Sequence, residues 1–231
     1  MAQCPTDLDL ARSSPFFAAA GEAATGRLIR SGVVRRMAKG TVLFTQGETP
    51  SVMHLLLEGS LGLRAEDERG ESTLVEIFGP GEVFLAPAAI LRLPCLLSGV
   101  LLSDSRLFMM PMEAFRDVLD TDPRLARAAY ELLARHWRLM VDQVVDLKLR
   151  DAGRRVSRFL ARRAPEGDAD PDGAAHAALP EPRMAIAARL GMTPETLSRT
   201  LGLLESRGAI RLGRHGADIL DRSGLLGPAP G

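Results

Sequence analysis

The sequence predicts an α+β fold in which a β-roll, a long helix and a winged helix-turn-helix follow one another. Short apolar runs punctuated by glycine fill much of the first half, and a 3.6-residue periodicity replaces them after Asp122-Pro123. A short basic helix pair lies near the end. These changes in hydrophobic pattern and local charge divide the 231 residues into three segments, 1–121, 122–149 and 150–231. A chain of this length accommodates two small domains.

The first segment combines an Ala-rich helical stretch, 13–29, with apolar runs of strand length. The runs are 41–44, 53–57, 73–78 and 96–102, and glycines at 40, 47, 59, 70, 79 and 81 separate them. Such spacing indicates a sandwich or a short barrel-like roll. The very apolar stretch 83–102 is interrupted by Pro87, Arg92 and Pro94, so it is interpreted as buried strands and not as a membrane span.

The second segment predicts a long helix with two apolar faces. A heptad seam runs through Ala126, Tyr130, Leu133, Trp137, Met140, Val144 and Leu147, and a second row contains Leu125, Leu132 and Leu139. A stripe this wide can face both the roll and another helix. The predicted dimer contacts are Tyr130, Leu133, Trp137, Met140 and Val144. A further helix is expected at 151–164, and a loop at 165–182, which is rich in Pro, Gly, Ala and Asp.

The third segment contains two short helices separated by a turn at Gly191, with Thr193 as the cap of the second helix. Six Arg and two acidic residues lie between Arg183 and His215, although the whole chain has a net charge of zero. Glu195, Ser198 and Arg199 share one face and can contact base edges, since Arg pairs with guanine and Glu accepts from cytosine. An ordinary solvated helix start is the alternative interpretation.

Strands 209–212 and 217–220 around a polar turn predict a β-wing. Its Arg211, Arg214 and His215 could contact phosphates, and a plain surface hairpin is an equally good interpretation. The predicted DNA contacts are Thr193, Glu195, Thr196, Ser198, Arg199, Arg211 and Arg214.

Other classes of protein lack support. The two cysteines, Cys4 and Cys95, cannot form a disulfide framework or a four-thiolate cluster. Residues 1–10 lack a signal pattern, so a cytoplasmic location is expected. No phosphate-binding glycine loop, metal-spaced His pair or nucleophile elbow indicates an enzyme. The alternative to a DNA-binding regulator is a ligand-binding or redox- or gas-sensing module whose output is protein–protein interaction.

Over nearly its full length the chain resembles the CRP/FNR family of transcription regulators. The resemblance rests on KGTVLFTQGE (39–48), LEGSLGL (57–63), GPGEVF (79–84) and PETLSR (194–199), which is similar to the E-x-x-S-R face of the FNR-type branch. It implies a cyclic-nucleotide-binding-like roll and a homodimer joined through the long helix. It also implies a near-palindromic DNA site with TTGAT-like half-sites, and RNA polymerase as a partner.

The chain departs from this pattern at the effector. Leu85-Ala86 and Leu97-Ser98 stand where the cyclic-nucleotide branch has Gly-Glu and Arg-Ser, so cyclic AMP is not expected. The cysteines of the FNR iron–sulfur cluster are missing too. The long helix and the reading face are most similar to those of denitrification and nitric-oxide regulators. Haem is therefore one possible effector, and the absence of any ligand is the alternative. The predicted effector pocket consists of Phe84, Leu85, Ala86, Leu97, Ser98 and His136.

Four histidine and cysteine side chains are candidates for haem or metal ligands. His136 is the first candidate for a haem ligand, against the alternative of a hydrogen-bonded interfacial histidine. Cys4, followed by Pro5, lies where a haem-based carbon monoxide sensor of the family places a terminal ligand, and a loose N-terminus is the simpler expectation. Cys95 is expected to be a small buried hydrophobe. His54 could point into or out of the roll.

Overall fold

The computed structural model describes residues 7–84, 86–164, 175–179, 182–214 and 216–226. The chain divides into two compact units, Met1–Arg138 and Leu139–Gly231. Each unit has its own hydrophobic core and is described separately below.

The first unit begins with three short helices: α1 (Asp7–Ser13), α2 (Pro15–Ala20) and α3 (Glu22–Ser31). The Ser14 hydroxyl caps α2 by accepting a hydrogen bond from the backbone N–H of Phe17. Gly21, with φ 83°, separates α2 from α3 in a backbone conformation that a side chain would strain. The helices bury Phe16, Phe17 and Leu28 in the core of the roll.

The roll that follows consists of two antiparallel four-stranded sheets. One sheet contains β1 (Val33–Met37), β3 (Val52–Glu58), β6 (Val83–Phe84) and β8 (Ser105–Pro111) in the order β1-β8-β3-β6. The other contains β2 (Val42–Phe44), β4 (Leu61–Glu66), β5 (Ser72–Phe78) and β7 (Ser98–Leu101) in the order β2-β7-β4-β5. The prediction of a glycine-punctuated β-roll is therefore confirmed.

The interpretation of 83–102 as buried strands was wrong for much of its length. The short strand β6 is followed by a helix, α4 (Ala86–Leu91), and β7 begins only at Ser98. Small side chains at Ala86 and Ala89 let α4 pack closely against the cluster that contains the N-terminal helices. Leu96, which lies within the stretch interpreted as buried strands, is 87% exposed.

The long helix predicted from the heptad seam is α6 (Pro123–Leu149), preceded by α5 (Met112–Thr121). Its two faces differ in burial. Leu125 and Leu132 are buried in the core of the first unit, whereas Tyr130, Trp137 and Val144 are exposed in the single chain. Leu139, the third member of the second apolar row, is exposed in the single chain as well.

The second unit is a winged helix-turn-helix. Its elements are α7 (Ala152–Arg163), β9 (Ala175–Ala178), α8 (Arg183–Arg189), α9 (Pro194–Ser206), β10 (Ile210–Leu212), β11 (Gly216–Ile219) and α10 (Arg222–Leu226). The sheet order is β10-β11-β9. The expectation of a loop throughout 165–182 was wrong at β9, because Ala-rich AHAA has little strand propensity and forms a strand only by pairing with β11. Residues 165–174 and 180–181 of that stretch lie outside the described residues.

Candidate functional site

The turn between α8 and α9 depends on one glycine. Gly191 has φ 61°, and a Cβ built on it would lie 2.6 Å from Cδ2 of Leu147. The positive φ therefore favours glycine, whereas the exposed Leu147 side chain could move aside for a Cβ. The Thr193 side chain then caps α9 by accepting a hydrogen bond from the backbone N–H of Thr196, at 3.2 Å. These local interactions orient the first turn of α9.

The predicted reading face of α9 is accessible. Glu195, Ser198 and Arg199 are exposed, while Leu197 and Leu201 on the opposite face are buried in the core of the unit. Hydrogen bonds from the backbone N–H of Glu195 and from the Thr193 hydroxyl lower the pKa of the Glu195 carboxyl. The face thus offers a carboxylate, a hydroxyl and a guanidinium, which are groups that recognise base edges.

Two of the predicted DNA contacts serve the helix itself. The hydroxyls of Thr193 and Thr196 are 3.1 Å apart and hydrogen-bonded to each other. Thr196 is half-buried, and its carbonyl accepts a hydrogen bond from the Thr200 hydroxyl at 2.8 Å. Their demonstrated role is to cap and stiffen the first turn of α9, and direct DNA contact stays a prediction for both.

The wing places its cations in solvent. Arg211 and Arg214 are exposed, and the backbone N–H of Leu212 donates to Oε1 of Glu205 at 2.8 Å. This hydrogen bond attaches the wing to the last turns of α9. His215, also considered for phosphate contact, lies outside the described residues.

Sequence reasoning missed a cluster of charges around Asp146, which is 8% exposed near the end of α6. Its carboxylate forms ion pairs with Arg150, with Nε of Arg158 at 3.4 Å and with NH2 of Arg162 at 3.6 Å. Arg162 also reaches Asp142 at 3.2 Å. One buried carboxylate therefore ties the last turns of α6 to α7. The spacing of four residues among these acids and arginines was a signal that could have revealed the cluster.

In the first unit, a buried imidazole lies inside the roll. His54, on β3, is 2% exposed and stacks on Phe84, with ring centroids 5.2 Å apart and an interplanar angle of 5°. Its Nδ1 has no hydrogen-bond partner, and burial lowers the pKa of the imidazole to about 4. An unpartnered buried polar atom is uncommon in folded proteins and calls for an explanation. The sequence had left the direction of this side chain open.

The predicted pocket residues do not form one group. Phe84 belongs to the cluster that contains Phe44 and Cys95, whereas Ala86 packs with the N-terminal helices. Leu97 is half-buried, and the Ser98 hydroxyl accepts a hydrogen bond from the backbone N–H of Gln46 at 2.9 Å. Leu85 and Cys4 lie outside the described residues. Cys95 is buried, which confirms that expectation.

His136 lies at the other end of a row of rings. Its imidazole meets Phe78 edge-on at 5.4 Å, Phe78 is 5.7 Å from Phe84, and Phe84 is the ring on which His54 stacks. Burial, and secondarily the charge of Arg135, lower the pKa of His136. The row connects the interior of the roll with α6.

Each of the two units contains a segment that matches a known domain family. Residues 34–122 match the cyclic nucleotide-binding domain, and residues 154–227 match the Crp-like helix-turn-helix domain. Together the matches span well over half of the chain. The chain belongs to the CRP/FNR family of transcription regulators.

Relatives of this CRP/FNR regulator include a member named as cAMP-activated and a member named only as a transcriptional activator. It is 26% identical over 176 residues to the CRP-like cAMP-activated global transcriptional regulator of Mycobacterium tuberculosis, covering 75% of this chain and 78% of the relative. It is 26% identical over 198 residues to the transcriptional activator FnrA of Stutzerimonas stutzeri, covering 85% and 80%. The structure of FixK2 from Bradyrhizobium japonicum has a TM-score of 0.74 at 21% identity, over 87% of this chain and 99% of that chain, which shows the shared fold.

The segment from Ala86 to Leu101 offers no buried cation for the phosphate of a cyclic nucleotide. Between Ala86 and Leu101 the only charged residue is Arg92, which is exposed, and the Ser98 hydroxyl is already engaged with Gln46. A buried phosphodiester without a cation is very costly. The unpartnered Nδ1 of His54, among the rings of Phe44 and Phe84, is a nitrogen of the kind that binds haem iron. An iron–sulfur cluster does not fit, since the chain has two cysteines.

Proposed function

We propose that this regulator binds a near-palindromic DNA site as a homodimer, with α9 in the major groove and the wing on the phosphate backbone. The observation that carries the proposal is the exposed face of Glu195, Ser198 and Arg199 at the start of a capped helix. In this arrangement Arg199 contacts a guanine, Glu195 accepts from a cytosine amine, and Arg211 and Arg214 neutralise phosphates. The two recognition helices of the dimer lie about 34 Å apart, one turn of DNA.

The exposed seam of α6 supports the homodimer. Tyr130, Trp137 and Val144 are exposed in the single chain, and Leu133 and Met140 beside them are half-buried. Large apolar side chains at heptad positions are stabilised by a matching helix. A second copy of α6 offers the same seam, and an interface of this kind carries two-fold symmetry onto the DNA.

Each of the three segments of the chain has its own role in this proposal. Residues 1–121 form the sensory domain, 122–149 the dimerisation helix and 150–231 the DNA-binding domain. The resemblance of PETLSR to the FNR-type face favours a TTGAT-like half-site and a place in the nitric-oxide-responsive branch. We also propose that the regulator works in the cytoplasm and that it contacts RNA polymerase. Among the described residues, no helix combines the length and the apolar character needed to cross a membrane.

For the effector we propose haem, held in the roll by His54 or by His136. His54 supplies a buried nitrogen without a partner, and His136 supplies a half-buried nitrogen where the roll meets α6. Bound haem would supply an iron atom that takes a diatomic gas. The chain's own part is to exclude water around the ring with apolar side chains and to transmit a change in packing along the row of rings to α6.

The DNA-binding proposal is tested by fluorescence anisotropy with a labelled duplex that carries inverted TTGAT half-sites. We expect binding at least about a thousandfold tighter than to a scrambled duplex at the same salt concentration. A duplex with the half-sites moved apart by five base pairs is the matched control, because it places the second site on the opposite face of the DNA. Equal affinity for all three duplexes would contradict the proposal and favour protein–protein interaction as the output.

The effector proposal is tested by adding haem to purified apo-protein and recording the absorption spectrum. We expect a Soret band that titrates to one haem per chain in the wild type and is lost or shifted in either His54→Phe or His136→Ala. A spectrum without saturable uptake, or an unchanged spectrum in both variants, removes haem from the proposal. Calorimetry with cyclic AMP completes the test, and tight binding there would overturn the argument that the roll cannot accept a phosphodiester.

A further inference from the structure

A cavity of about 120 Å³ lies inside the helix-turn-helix unit. Its apolar walls come from α7, α8 and α9, and they include Val156, Leu160, Ile186 and Leu201. All four side chains belong to the buried core of the unit. Arg183 at the start of α8 and Arg214 in the wing complete the lining, and both of these residues are exposed.

The lining combines two kinds of chemistry. The inner wall of the pocket is made of apolar side chains, and its outer part is open to solvent and includes polar groups. Arg183 and Arg214 line the pocket and are exposed, and among the described residues neither forms an ion pair with a carboxylate. A planar carboxylate is the natural partner of a guanidinium fork.

We propose that this cavity binds a small aromatic carboxylate of about the size of benzoate. The ring occupies the apolar space beside Val156 and Leu201, and the carboxylate pairs with Arg183 and Arg214 at the mouth. Because the site belongs to the DNA-binding unit, it is distinct from the effector region in the roll.

The position of the cavity predicts an effect on DNA. Leu197 of α9 also lines it, and Arg214 is the residue that we propose as a phosphate contact. A carboxylate that neutralises Arg214 competes with a DNA phosphate for the same guanidinium. Ligand and DNA therefore weaken each other's binding, reciprocally and by the same factor. This second step rests on the proposed function, whereas binding of the ligand does not.

The first experiment measures binding to the full-length protein without DNA, with benzoate and benzene as separate probes. We expect saturable chemical-shift changes for methyl groups of Val156 and Leu201 with benzoate, at a dissociation constant in the millimolar range that ligands of this size reach. Arg183→Gln should weaken benzoate and leave benzene unchanged. If benzoate gives no saturable change, or if benzene binds at least as tightly, the assignment of an anionic ligand is wrong.

Variants at Val156 test the location of the site. Val156→Phe should fill part of the cavity and abolish binding of benzoate, whereas Val156→Ala should enlarge it and favour a larger carboxylate such as 2-naphthoate. Val118→Ala, the same truncation at a buried position of the first unit, is the matched control and should leave both ligands unaffected. Ligand binding that ignores both Val156 variants overturns the proposal, and Val156→Ala keeps that test open if Val156→Phe does not fold.

The second experiment repeats the anisotropy titration with benzoate present. At a benzoate concentration ten times its dissociation constant, DNA affinity should fall by nearly the same factor as Arg214→Ala lowers it, because the ligand removes that one phosphate contact. Sodium acetate at equal ionic strength is the control for screening. An unchanged DNA affinity with benzoate bound overturns the competition at Arg214. A protein that binds benzoate but no DNA contradicts the proposed function and leaves the cavity assignment standing.

Discussion

The imidazole of His136 lies edge-on against the phenyl ring of Phe78, with ring centroids 5.4 Å apart and an interplanar angle of 86°. Phe78 ends strand β5 of the roll, and His136 belongs to α6. The next residue on the helix, Trp137, is 70% exposed and belongs to the predicted dimer seam. Adjacent positions of one helix thus face the roll and the expected partner. A displacement of Phe78 would therefore act on His136, the residue next to the predicted dimer contact Trp137.

The contact between Phe78 and His136 should be measurable as a coupling energy. A double-mutant cycle with Phe78→Leu and His136→Leu is expected to give about 0.5–1.5 kcal/mol, the range of edge-to-face ring pairs. The free energies of unfolding come from urea titrations of the four proteins at pH 8, where the imidazole is neutral because burial lowers its pKa. Additive effects of the two substitutions would mean that the rings touch without stabilising each other.

Trp137→Ala should weaken the dimer and leave the fold of the single chain nearly unchanged, because the side chain is largely exposed before the partner binds. A central tryptophan of an interface commonly contributes about 2 kcal/mol or more, which corresponds to a roughly thirtyfold larger dissociation constant. Sedimentation velocity over a dilution series measures this constant. Arg127→Ala, on the same helix and with an 83% exposed side chain, is the control. A wild-type protein that sediments as a monomer at micromolar concentration would rule out the seam as a dimer contact.

Arg199→Ala should relax sequence preference, whereas Arg214→Ala should reduce affinity for every sequence. Loss of a bidentate guanine contact costs roughly 1–3 kcal/mol at one base position, and loss of one phosphate contact lowers the slope of log affinity against log salt by about 1. Anisotropy titrations at several salt concentrations, with duplexes substituted at single positions, separate the two effects. Full discrimination by Arg199→Ala would show that the reading face was assigned to the wrong residues.

The buried His54 should make the roll sensitive to acid. Its folded-state pKa of about 4 lies below the ordinary value of 6.5, so the unfolded chain takes up the proton first as pH falls. Protonation of His54 in the unfolded chain therefore leaves the free energy of unfolding unchanged above about pH 6.5. Between pH 6.5 and pH 4 it lowers the free energy of unfolding by about 3 kcal/mol in total. Urea unfolding of the wild type and of His54→Phe between pH 7 and pH 4 isolates this contribution. Parallel curves for the two proteins would contradict it.

Asp146→Asn should destabilise the second unit more than Asp142→Asn does. The first change leaves Arg150, Arg158 and Arg162 without their shared, mostly buried carboxylate, while Asp142 is half-exposed and pairs with Arg162. We expect a loss of about 2 kcal/mol for Asp146→Asn, below the value for fully buried pairs because the arginines keep some hydration, and under about 1 kcal/mol for Asp142→Asn. Thermal unfolding at low and high salt measures both. Equal losses would mean that Asp146 does not organise the cluster.

Elements with local signals were predicted well from the sequence. The heptad periodicity located α6, and the Gly191 turn with the Thr193 cap located the end of α8 and the start of α9. Each of these features depends on residues within one or two turns of one another. The helix α4 and the strand β9 were missed, because Ala-rich segments take their structure from a remote packing surface or strand edge.

The candidate site divides in the same way. The sequence by itself placed Glu195, Ser198 and Arg199 on one face of α9, by helical spacing alone, and it placed the apolar heptad positions on α6. Only the tertiary structure decided that His54 points inward onto Phe84, that His136 meets Phe78, and that Asp146 gathers three arginines. Side chains alternate between the two faces of a strand, and which face is buried depends on the sheet that packs opposite. Contacts between residues of different elements follow from how the chain folds back on itself, which local spacing does not specify.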